Sequence, residues 1–172
     1  MGARRIKKNS ANDRLSSGKT HNRKEAIMPM KHPAKDHLGD ARYTITQSFT
    51  FDSSHKLKQE DFSYLSQPFL VDLSKCFYDH GHTYYLEVEW QGFPTEAEPM
   101  IWPFGHLKSF TQTLVSACDH SNLNDVFVFP TTLENVANWF FKSLLRFNCD
   151  KLKLRSVLLR EGRDNRVKVE AL

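Results

Sequence analysis

The sequence predicts an α+β domain in which two helices pack on one face of a four-stranded antiparallel sheet. Two observations support this fold class. Polar and apolar residues alternate in two stretches before residue 92 and in two after residue 150, as in half-buried strands. Between them, apolar residues recur at spacings of three and four, which is typical of amphipathic helices. Long helices between two pairs of strands favour an α+β arrangement.

The first two strands are predicted from side chains of one parity. Tyr, Ile, Gln, Phe and Phe occupy the odd positions of residues 43–51. Residues 57–75 are mixed and indicate a loop with room for one short helical or strand segment. The second strand starts near His82, and His80 and His82 share the parity of the apolar residues that follow. Both histidines are therefore expected on the apolar face of this strand.

Two helices and a hairpin complete the pattern. Residues 103–120 predict a helix with Pro103 in its first turn, where a missing N–H is tolerated. A second helix is predicted to begin at a capping box formed by Thr131 and Glu134. The last two strands are predicted over residues 151–161 and 166–172, with the turn-rich segment GRDN between them.

Composition and charge bound the domain organisation. The chain has 172 residues, of which 40% are hydrophobic and 26% charged, enough for one domain with its own core. Residues 1–40 carry a net charge of +6, and the remainder carries −2. We expect residues 1–40 to be a disordered basic extension and residues 41–172 to be the folded domain. The extension is either dispensable or an electrostatic attachment to RNA or another polyanion.

Cysteine usage and hydropathy indicate the compartment. The chain has three cysteines, and its N-terminus lacks the apolar segment of a secretory leader. This combination argues against a disulfide framework, so we expect a reducing, cytoplasmic environment. No apolar run approaches the ~18–20 residues of a membrane span, so no membrane insertion is expected.

Two histidines on one strand face are candidates for a metal site. His80 and His82 lie two residues apart, point the same way from a strand and can reach one ion. His55, just after the first predicted strand, could supply a third imidazole. Three neutral histidines at a tetrahedral zinc leave one position open for water or substrate, as in catalytic sites. The alternative is that the histidines fall two apart by chance.

Other residues could supply acid–base or nucleophilic chemistry. Cys76 lies near the histidine pair, where a cation would lower its pKa, although a free cysteine is usually a small buried hydrophobe. Asp119 could orient His120 for proton transfer, although helix ends favour polar residues anyway. Glu161 could bind a guanidine-like edge through paired hydrogen bonds, or it could be a solvated strand end.

Six segments together resemble the family of 6-pyruvoyl-tetrahydropterin synthase and 6-carboxy-tetrahydropterin synthase. They are FTFDSSHKL, CFYDHGHTYYLEVEWQG, MIWPFGHLKSF, CDHSNLND, TTLENVANW and LLREGRDNRVKV, in this order. The resemblance covers nearly all of the chain after residue 42. Its most specific part is a cysteine followed after three residues by His-Gly-His, then Asp-His, then Thr-x-Glu-Asn.

The resemblance implies the tunnelling fold, in which several copies of a four-stranded sheet with two helices close into a barrel. Family members are commonly hexamers with active sites between subunits, so a homo-oligomer is expected. The resemblance also implies roles for nine residues. The implied Zn²⁺ ligands are His55, His80 and His82, the implied catalytic residues are Cys76, Asp119 and His120, and the implied pterin-binding residues are Thr132, Glu134 and Glu161.

The resemblance further implies a lyase reaction. A zinc enzyme would convert 7,8-dihydroneopterin triphosphate to 6-carboxy-5,6,7,8-tetrahydropterin, with loss of triphosphate and acetaldehyde. The short interval between Cys76 and His80 resembles bacterial carboxy-forming enzymes, which feed 7-deazaguanine and queuosine synthesis. The alternatives are a 6-pyruvoyl-tetrahydropterin synthase of tetrahydrobiopterin synthesis, or a non-catalytic relative that binds pterin or RNA. The chain departs from the family pattern at Pro103, where members have Asp or Asn, and at Gly162, where they have Thr.

Overall fold

A long antiparallel strand pair organises the computed structural model, which describes residues 41–172. Strand β1 (Tyr43–His55) pairs with β2 (His80–Gly92) along its whole length, from Tyr43 opposite Gly92 to His55 opposite His80. The predicted basic extension, residues 1–40, lies outside the described residues. His55 is the last residue of β1, so the two strands end together at their histidines.

The sheet has five strands rather than the four that were predicted. The four predicted strands are present and antiparallel, with β2 next to β4 (Leu152–Glu161) and β4 next to β5 (Asn165–Glu170). The fifth, β3 (Ser121–Asn122), runs parallel to β1 at the edge of the sheet, which gives the order β3-β1-β2-β4-β5. The prediction of a purely four-stranded antiparallel sheet is therefore wrong. The sequence did not reveal β3, because a strand of two residues is too short to show any periodicity.

Four α-helices connect these strands. The two long ones, α2 (Phe104–Cys118) and α4 (Leu133–Leu145), match the helical patterns of the sequence. The shorter helices α1 and α3 and two 3-10 turns occupy the connections. They span Gln67–Asp72, Leu123–Val126, Gln59–Phe62 and Leu73–Phe77, respectively. Within the described part of the chain, no helix has both the length and the apolar character needed to cross a membrane.

Both long helices begin differently from the prediction. Pro103 is the N-cap of α2 rather than a residue of its first turn. The predicted capping box of Thr131 and Glu134 is wrong, because the helix is capped one residue later. The N-cap of α4 is Thr132, whose hydroxyl accepts a hydrogen bond from the backbone N–H of Asn135 at 3.3 Å. Thr131 is instead buried and contacts His55.

The core lies between the long helices and one face of the sheet. Along β2 the even-numbered side chains from Tyr84 to Trp90 are buried, whereas the odd-numbered ones face the other side. The Phe51 ring of β1 stacks on Tyr84 with 5.0 Å between centroids and contacts Phe140 of α4 at 5.9 Å. Leu107 of α2 belongs to the same core cluster. The histidines share the face of Tyr84, so the packed face ends in a polar cluster.

Gly92 offers a test of this packing. A Cβ added there would overlap both the Lys151 carbonyl oxygen and the Ile101 side chain, whereas one added at Gly105 of α2 would meet no atom within 4 Å. We expect Gly92→Ala to destabilise the protein by ~1–3 kcal/mol through overpacking. Gly105→Ala should be neutral or stabilise by up to ~1 kcal/mol through lower backbone entropy in the unfolded chain. Urea unfolding of both variants measures the difference, and equal stabilities would contradict the close approach at Gly92.

Candidate active site

Three histidines meet at the end of the β1–β2 pair. His55 lies directly opposite His80, and His82 lies opposite Ser53, so all three imidazoles project from the same face. Their candidate ligand nitrogens lie within 4.8 Å of one another. The ring centroids are 4.5 Å apart for His55 and His80 and 4.8 Å apart for His80 and His82. The sequence offered His55 as a third imidazole beside His80 and His82, and the strand register brings the three together.

Backbone carbonyls fix the tautomers of two of these imidazoles. Nδ1 of His55 donates to the Thr131 carbonyl oxygen at 2.9 Å, and Nδ1 of His80 donates to the Tyr78 carbonyl oxygen at 2.7 Å. A carbonyl only accepts, so each Nδ1 donates its N–H, and in the neutral imidazole each Nε2 presents a lone pair. This arrangement of a ligand histidine held through its other nitrogen is usual at metal sites.

The Nε2 atom of His55 shows that a metal ion fits here. This atom is buried and has no hydrogen-bond partner among the described residues. A buried acceptor without a partner costs about 1–3 kcal/mol. Burial, with smaller effects from His80 and His55, lowers the pKa of His82 despite the opposing charge of Glu161, so its neutral, metal-binding form is favoured. Three neutral imidazoles with converging lone pairs can hold a divalent ion and leave a position open.

Glu161 places a carboxylate beside this cluster. It lies at the end of β4 opposite Tyr84, whose hydroxyl donates to Glu161 Oε1 at 3.1 Å. The same oxygen is 3.4 Å from Nε2 of His55 and 3.5 Å from Nε2 of His82. Burial raises the pKa of Glu161, but the contacts with His55, His82 and Tyr84 more than offset this, so its pKa lies below the usual value. Glu161 is therefore an anionic acceptor at neutral pH.

Cys76 lies in the 3-10 turn Leu73–Phe77, which comes shortly before His80 in the chain. The turn is tied to the end of β1, because the Leu57 N–H donates to the Cys76 carbonyl oxygen at 2.8 Å. Burial, and secondarily the charge of Glu161, raise the pKa of the Cys76 thiol. Without added positive charge the group is thus a thiol rather than a thiolate at neutral pH.

These groups line one cavity of about 850 Å³. The cavity brings together seven of the nine residues singled out in the sequence: His55, His80, His82, Cys76, Thr132, Glu134 and Glu161. Its apolar walls come from Leu57, Phe62, Leu73, Leu133 and Val167. A cavity with apolar walls and a few converging polar groups is typical of a small-molecule site.

Asp119 and His120 lie elsewhere. His120 lines a second cavity of about 550 Å³ with Asp52 and His82; His82 also lines the first cavity, whereas Cys76 lines only the first. The His120 Nδ1 lies 2.9 Å from Asp119 Oδ1, and the imidazole is 80% exposed. Within one chain, the structure therefore separates this pair from the thiol with which the sequence grouped it.

The backbone of Asp52 holds the Asp119–His120 pair. Its N–H donates to Asp119 Oδ1 at 3.1 Å, and its carbonyl accepts from the His120 N–H at 2.7 Å. His120 has a φ of 55°, a left-handed conformation in which few non-glycine residues are found. The hydrogen bond from Asp52, with help from His120, lowers the pKa of Asp119. The carboxylate is thus charged and oriented toward the imidazole.

Sequence reasoning missed two residues that support the site. Thr131 holds His55 through its carbonyl, and Tyr84 donates to Glu161. Tyr84 has the strand parity of the histidines, which was a usable signal. The sequence held no comparable signal for Thr131, because its hydroxyl also fits a helix cap.

The cavity thus combines a three-histidine cluster, a thiol and a carboxylate in a small α+β domain. The family model described as 6-pyruvoyl tetrahydropterin synthase matches residues 44–171. The chain is a member of this family, as the resemblance predicted. The match spans both cavities, so it includes every residue singled out above.

Similar proteins carry several different names. A dihydroneopterin monophosphate aldolase of Pyrococcus furiosus is 31% identical over 121 residues, which cover 70% of this chain and 91% of the relative. A 6-carboxy-5,6,7,8-tetrahydropterin synthase of Aquifex aeolicus is 28% identical over 88 residues, or 49% of this chain and 54% of the relative. The structure of Caenorhabditis elegans 6-pyruvoyl tetrahydropterin synthase is 24% identical, with a TM-score of 0.64 over 77% of this chain and 97% of that one. This last likeness shows the fold alone.

The histidine cluster makes a direct prediction about metal binding. Wild-type protein loaded with Zn²⁺ should retain about one ion per chain, and His55→Ala should retain almost none, because three ligands are the minimum of such sites. His106→Ala is the matched control, since His106 is an exposed histidine of α2 outside the cluster. Zn²⁺ should also raise the melting temperature of the wild type and the control but not of His55→Ala. Metal analysis after dialysis decides, and equal metal content in both variants would contradict the site.

Proposed function

We propose that the chain is a zinc-dependent 6-carboxy-tetrahydropterin synthase, a lyase that acts on 7,8-dihydroneopterin triphosphate. The observation that carries the proposal is the single cavity shared by the three histidines, Cys76 and Glu161. With one water consumed, the products would be 6-carboxy-5,6,7,8-tetrahydropterin, acetaldehyde and triphosphate. The pterin product would serve cytoplasmic 7-deazaguanine and queuosine synthesis. The relative from Aquifex aeolicus, which carries this name, supports the assignment.

Glu161 is the proposed anchor of the pterin ring. The ring presents two adjacent donors, the 2-amino group and N3–H, and the Glu161 oxygen that does not accept from Tyr84 can accept from this edge. The hydrogen bond from Tyr84 keeps this carboxylate in place, and the apolar walls would contact the faces of the ring. Thr132 and Glu134, at the start of α4, line the same cavity and are proposed to contact the ring as well.

The side chain of the substrate would then extend toward the histidines. When bound, Zn²⁺ would supply a Lewis acid that polarises the side-chain hydroxyls and favours the thiolate form of the nearby cysteine. Cys76 is proposed to take the proton from the carbon next to such a hydroxyl. The Thr131 and Tyr78 carbonyls keep the ligand imidazoles oriented while this proton moves.

The Asp119–His120 pair is proposed to serve the cavity of a neighbouring subunit. Within one chain it lies apart from Cys76, yet it is an exposed, oriented imidazole–carboxylate pair of the kind used in proton transfer. The edges of the sheet offer a route to assembly. Among the described residues, β3 covers only Ser53 and Ser54 of β1, and β5 has a partner on one side. We propose a homo-oligomer, with a hexameric barrel as the expected form, in which copies pair along these edges.

A second candidate function is that of a dihydroneopterin monophosphate aldolase. It is favoured by the Pyrococcus furiosus relative, which this chain matches over 91% of that protein's length. Both candidates need a bound pterin and removal of a proton from its side chain, so the cavity accommodates either. They differ in the phosphate group of the substrate and in whether this group is eliminated or leaves on the released aldehyde, and a product assay separates them.

The first prediction of this proposal concerns the products. Zn²⁺-loaded protein incubated with the triphosphate should form the 6-carboxy product and acetaldehyde, which mass spectrometry and an aldehyde assay detect. Cys76→Ala should lose at least ~100-fold in kcat, the usual scale for a general acid or base, with little change in metal content. Cys149→Ala is the control, because this half-buried cysteine lies outside the cavity.

Other products would redirect the assignment. A 6-pyruvoyl product would place the enzyme in the tetrahydrobiopterin branch. Turnover of the monophosphate alone, with release of a phosphorylated aldehyde, would favour the aldolase. Pterin binding without any turnover would indicate the non-catalytic relative.

The second prediction concerns subunit sharing. Cys76→Ala and His120→Ala should each be inactive as homo-oligomers, because each lacks one of the two groups that a cavity needs. Oligomers formed by refolding an equal mixture should regain up to roughly a quarter of wild-type activity, since some cavities receive both intact groups. A mixture of Cys76→Ala with Cys76→Ala/His120→Ala is the matched control and should stay inactive. No recovery in the first mixture would show that the pair does not act across subunits.

A further inference from the structure

Two arginines lie directly opposite each other on the last two strands. Arg160 of β4 pairs with Arg166 of β5, and directly opposite residues of an antiparallel pair share one face, with Cβ atoms about 4.5–5.5 Å apart. On its other side Arg160 pairs with Tyr85 of β2, whose side chain lies on the face opposite the histidines. Both guanidinium groups therefore belong to the polar face of the sheet. Arg166, on the edge strand, also borders the cavity of the histidines.

No acidic residue neutralises this pair. In the described part of the chain, Lys168 forms ion pairs with Glu89 and Glu170, at 3.7 and 2.9 Å, but no ion pair includes Arg160 or Arg166. Like charges directly opposite each other in a sheet are destabilising. The two arginines are therefore a local concentration of positive charge in a domain whose net charge is −2.

The guanidinium group of Arg160 is oriented, but one of its donors is unused. Its Cζ lies 5.0 Å from the centroid of the Tyr85 ring, a cation–π contact that holds the planar group against the sheet. Its Nε is buried and has no hydrogen-bond partner among residues 41–172. A buried donor without a partner costs free energy, and the cost is larger for a charged group. An acceptor that binds beside this group would recover that cost.

The chemistry of the pair selects the kind of anion. Each guanidinium presents a planar fork of N–H donors that matches two oxygens of a carboxylate or a phosphate group. A carboxylate has one edge of two oxygens, which a single arginine satisfies. A phosphate group has several such edges and a charge of about −1.5 to −2 at neutral pH, so it can accept from two arginines at once. The pair of Arg160 and Arg166 thus fits a phosphate group better than a carboxylate.

We propose that Arg160 and Arg166 form a binding site for a phosphate group on the polar face of the sheet, outside the histidine cluster. The ligand is inorganic phosphate or a phosphate monoester, which present the same oxygens to the two guanidinium groups. Bound phosphate would attract both positive charges and so offset their repulsion. The inference does not rest on the proposed function, because neither arginine has a part in the proposed reaction.

Phosphate binding to three proteins tests the site. Full-length Zn²⁺-loaded wild type, Arg160→Gln and Arg166→Gln are dialysed to remove free metal and titrated calorimetrically with sodium phosphate at constant ionic strength. Glutamine stays polar but lacks the charge and the fork, so each substitution should weaken phosphate binding at least about tenfold. Arg155→Gln is the matched control and should bind as the wild type does, because Arg155 is an exposed residue of the same strand that interacts with Glu170.

Three further titrations identify the ligand and its location. Binding of both inorganic phosphate and glycerol 2-phosphate identifies the phosphate group as the recognised part, whereas binding of inorganic phosphate alone identifies the free anion. Sodium acetate should bind at least about tenfold more weakly than phosphate, because it offers a single edge. His55→Ala should bind phosphate as tightly as the wild type, because the pair lies on the other face of the sheet from the histidine cluster.

Thermal stability supplies a second readout with opposite signs. Without phosphate and at low ionic strength, Arg166→Gln should melt at or above the wild-type temperature, because it removes one of two opposed charges. At phosphate concentrations ten times Kd, the melting temperature of the wild type should rise by ~3–6 °C, and that of Arg166→Gln should hardly change. Sodium chloride of the same ionic strength is the control for screening.

Three results would overturn the inference and leave the proposed function standing. The first is an equal affinity for phosphate in the wild type and both arginine variants. The second is an equal shift of the wild-type melting temperature in phosphate and in sodium chloride. The third is loss of phosphate binding in His55→Ala, which would place the anion at the metal.

Discussion

The register of β1 against β2 is the constraint on which the candidate site depends. It places His55 opposite His80 and extends the packed face of the sheet into the histidine cluster. A shift of one residue would move one strand's histidines to the opposite face. The buried side chains Phe51 and Tyr84 form the pair four residues from His55 and His80 and stack on each other, so the hydrophobic core itself enforces the register. The geometry of the polar site is therefore a consequence of apolar packing.

The polar site lies at an end of the core where the elements leave a cavity. His55 is almost fully buried, and the Thr131 carbonyl satisfies only one of its nitrogens. Glu161 keeps its charge because His55, His82 and Tyr84 surround one of its oxygens. A cluster with an unpaired buried acceptor lowers stability when it is empty, and ligand binding recovers part of this cost. Binding and folding are consequently linked at these residues.

The sequence predicted the elements whose apolar residues recur with a regular period. Alternation along residues 43–51 and 80–90 located β1 and β2 and the face of the histidines, because a half-buried strand must alternate. Strand β3 was not predictable, since two residues carry no period. The start of α4 was misplaced by one residue because Thr131 and Thr132 both suit a cap, and the contact with His55 decides between them. The separation of Asp119 from Cys76 depends on tertiary structure, to which spacing along the chain is blind.

Strand β1 serves two places at once. Its last side chain, His55, belongs to the histidine cluster, while three residues earlier the backbone of Asp52 bonds to Asp119 and His120. At this end of the sheet β1 lies between β2 and β3, so a displacement of β1 would move its neighbours with it. Any substitution that tilts or slides the end of β1 would disturb metal geometry and imidazole orientation together. One substitution at the end of β1 is therefore expected to affect both places.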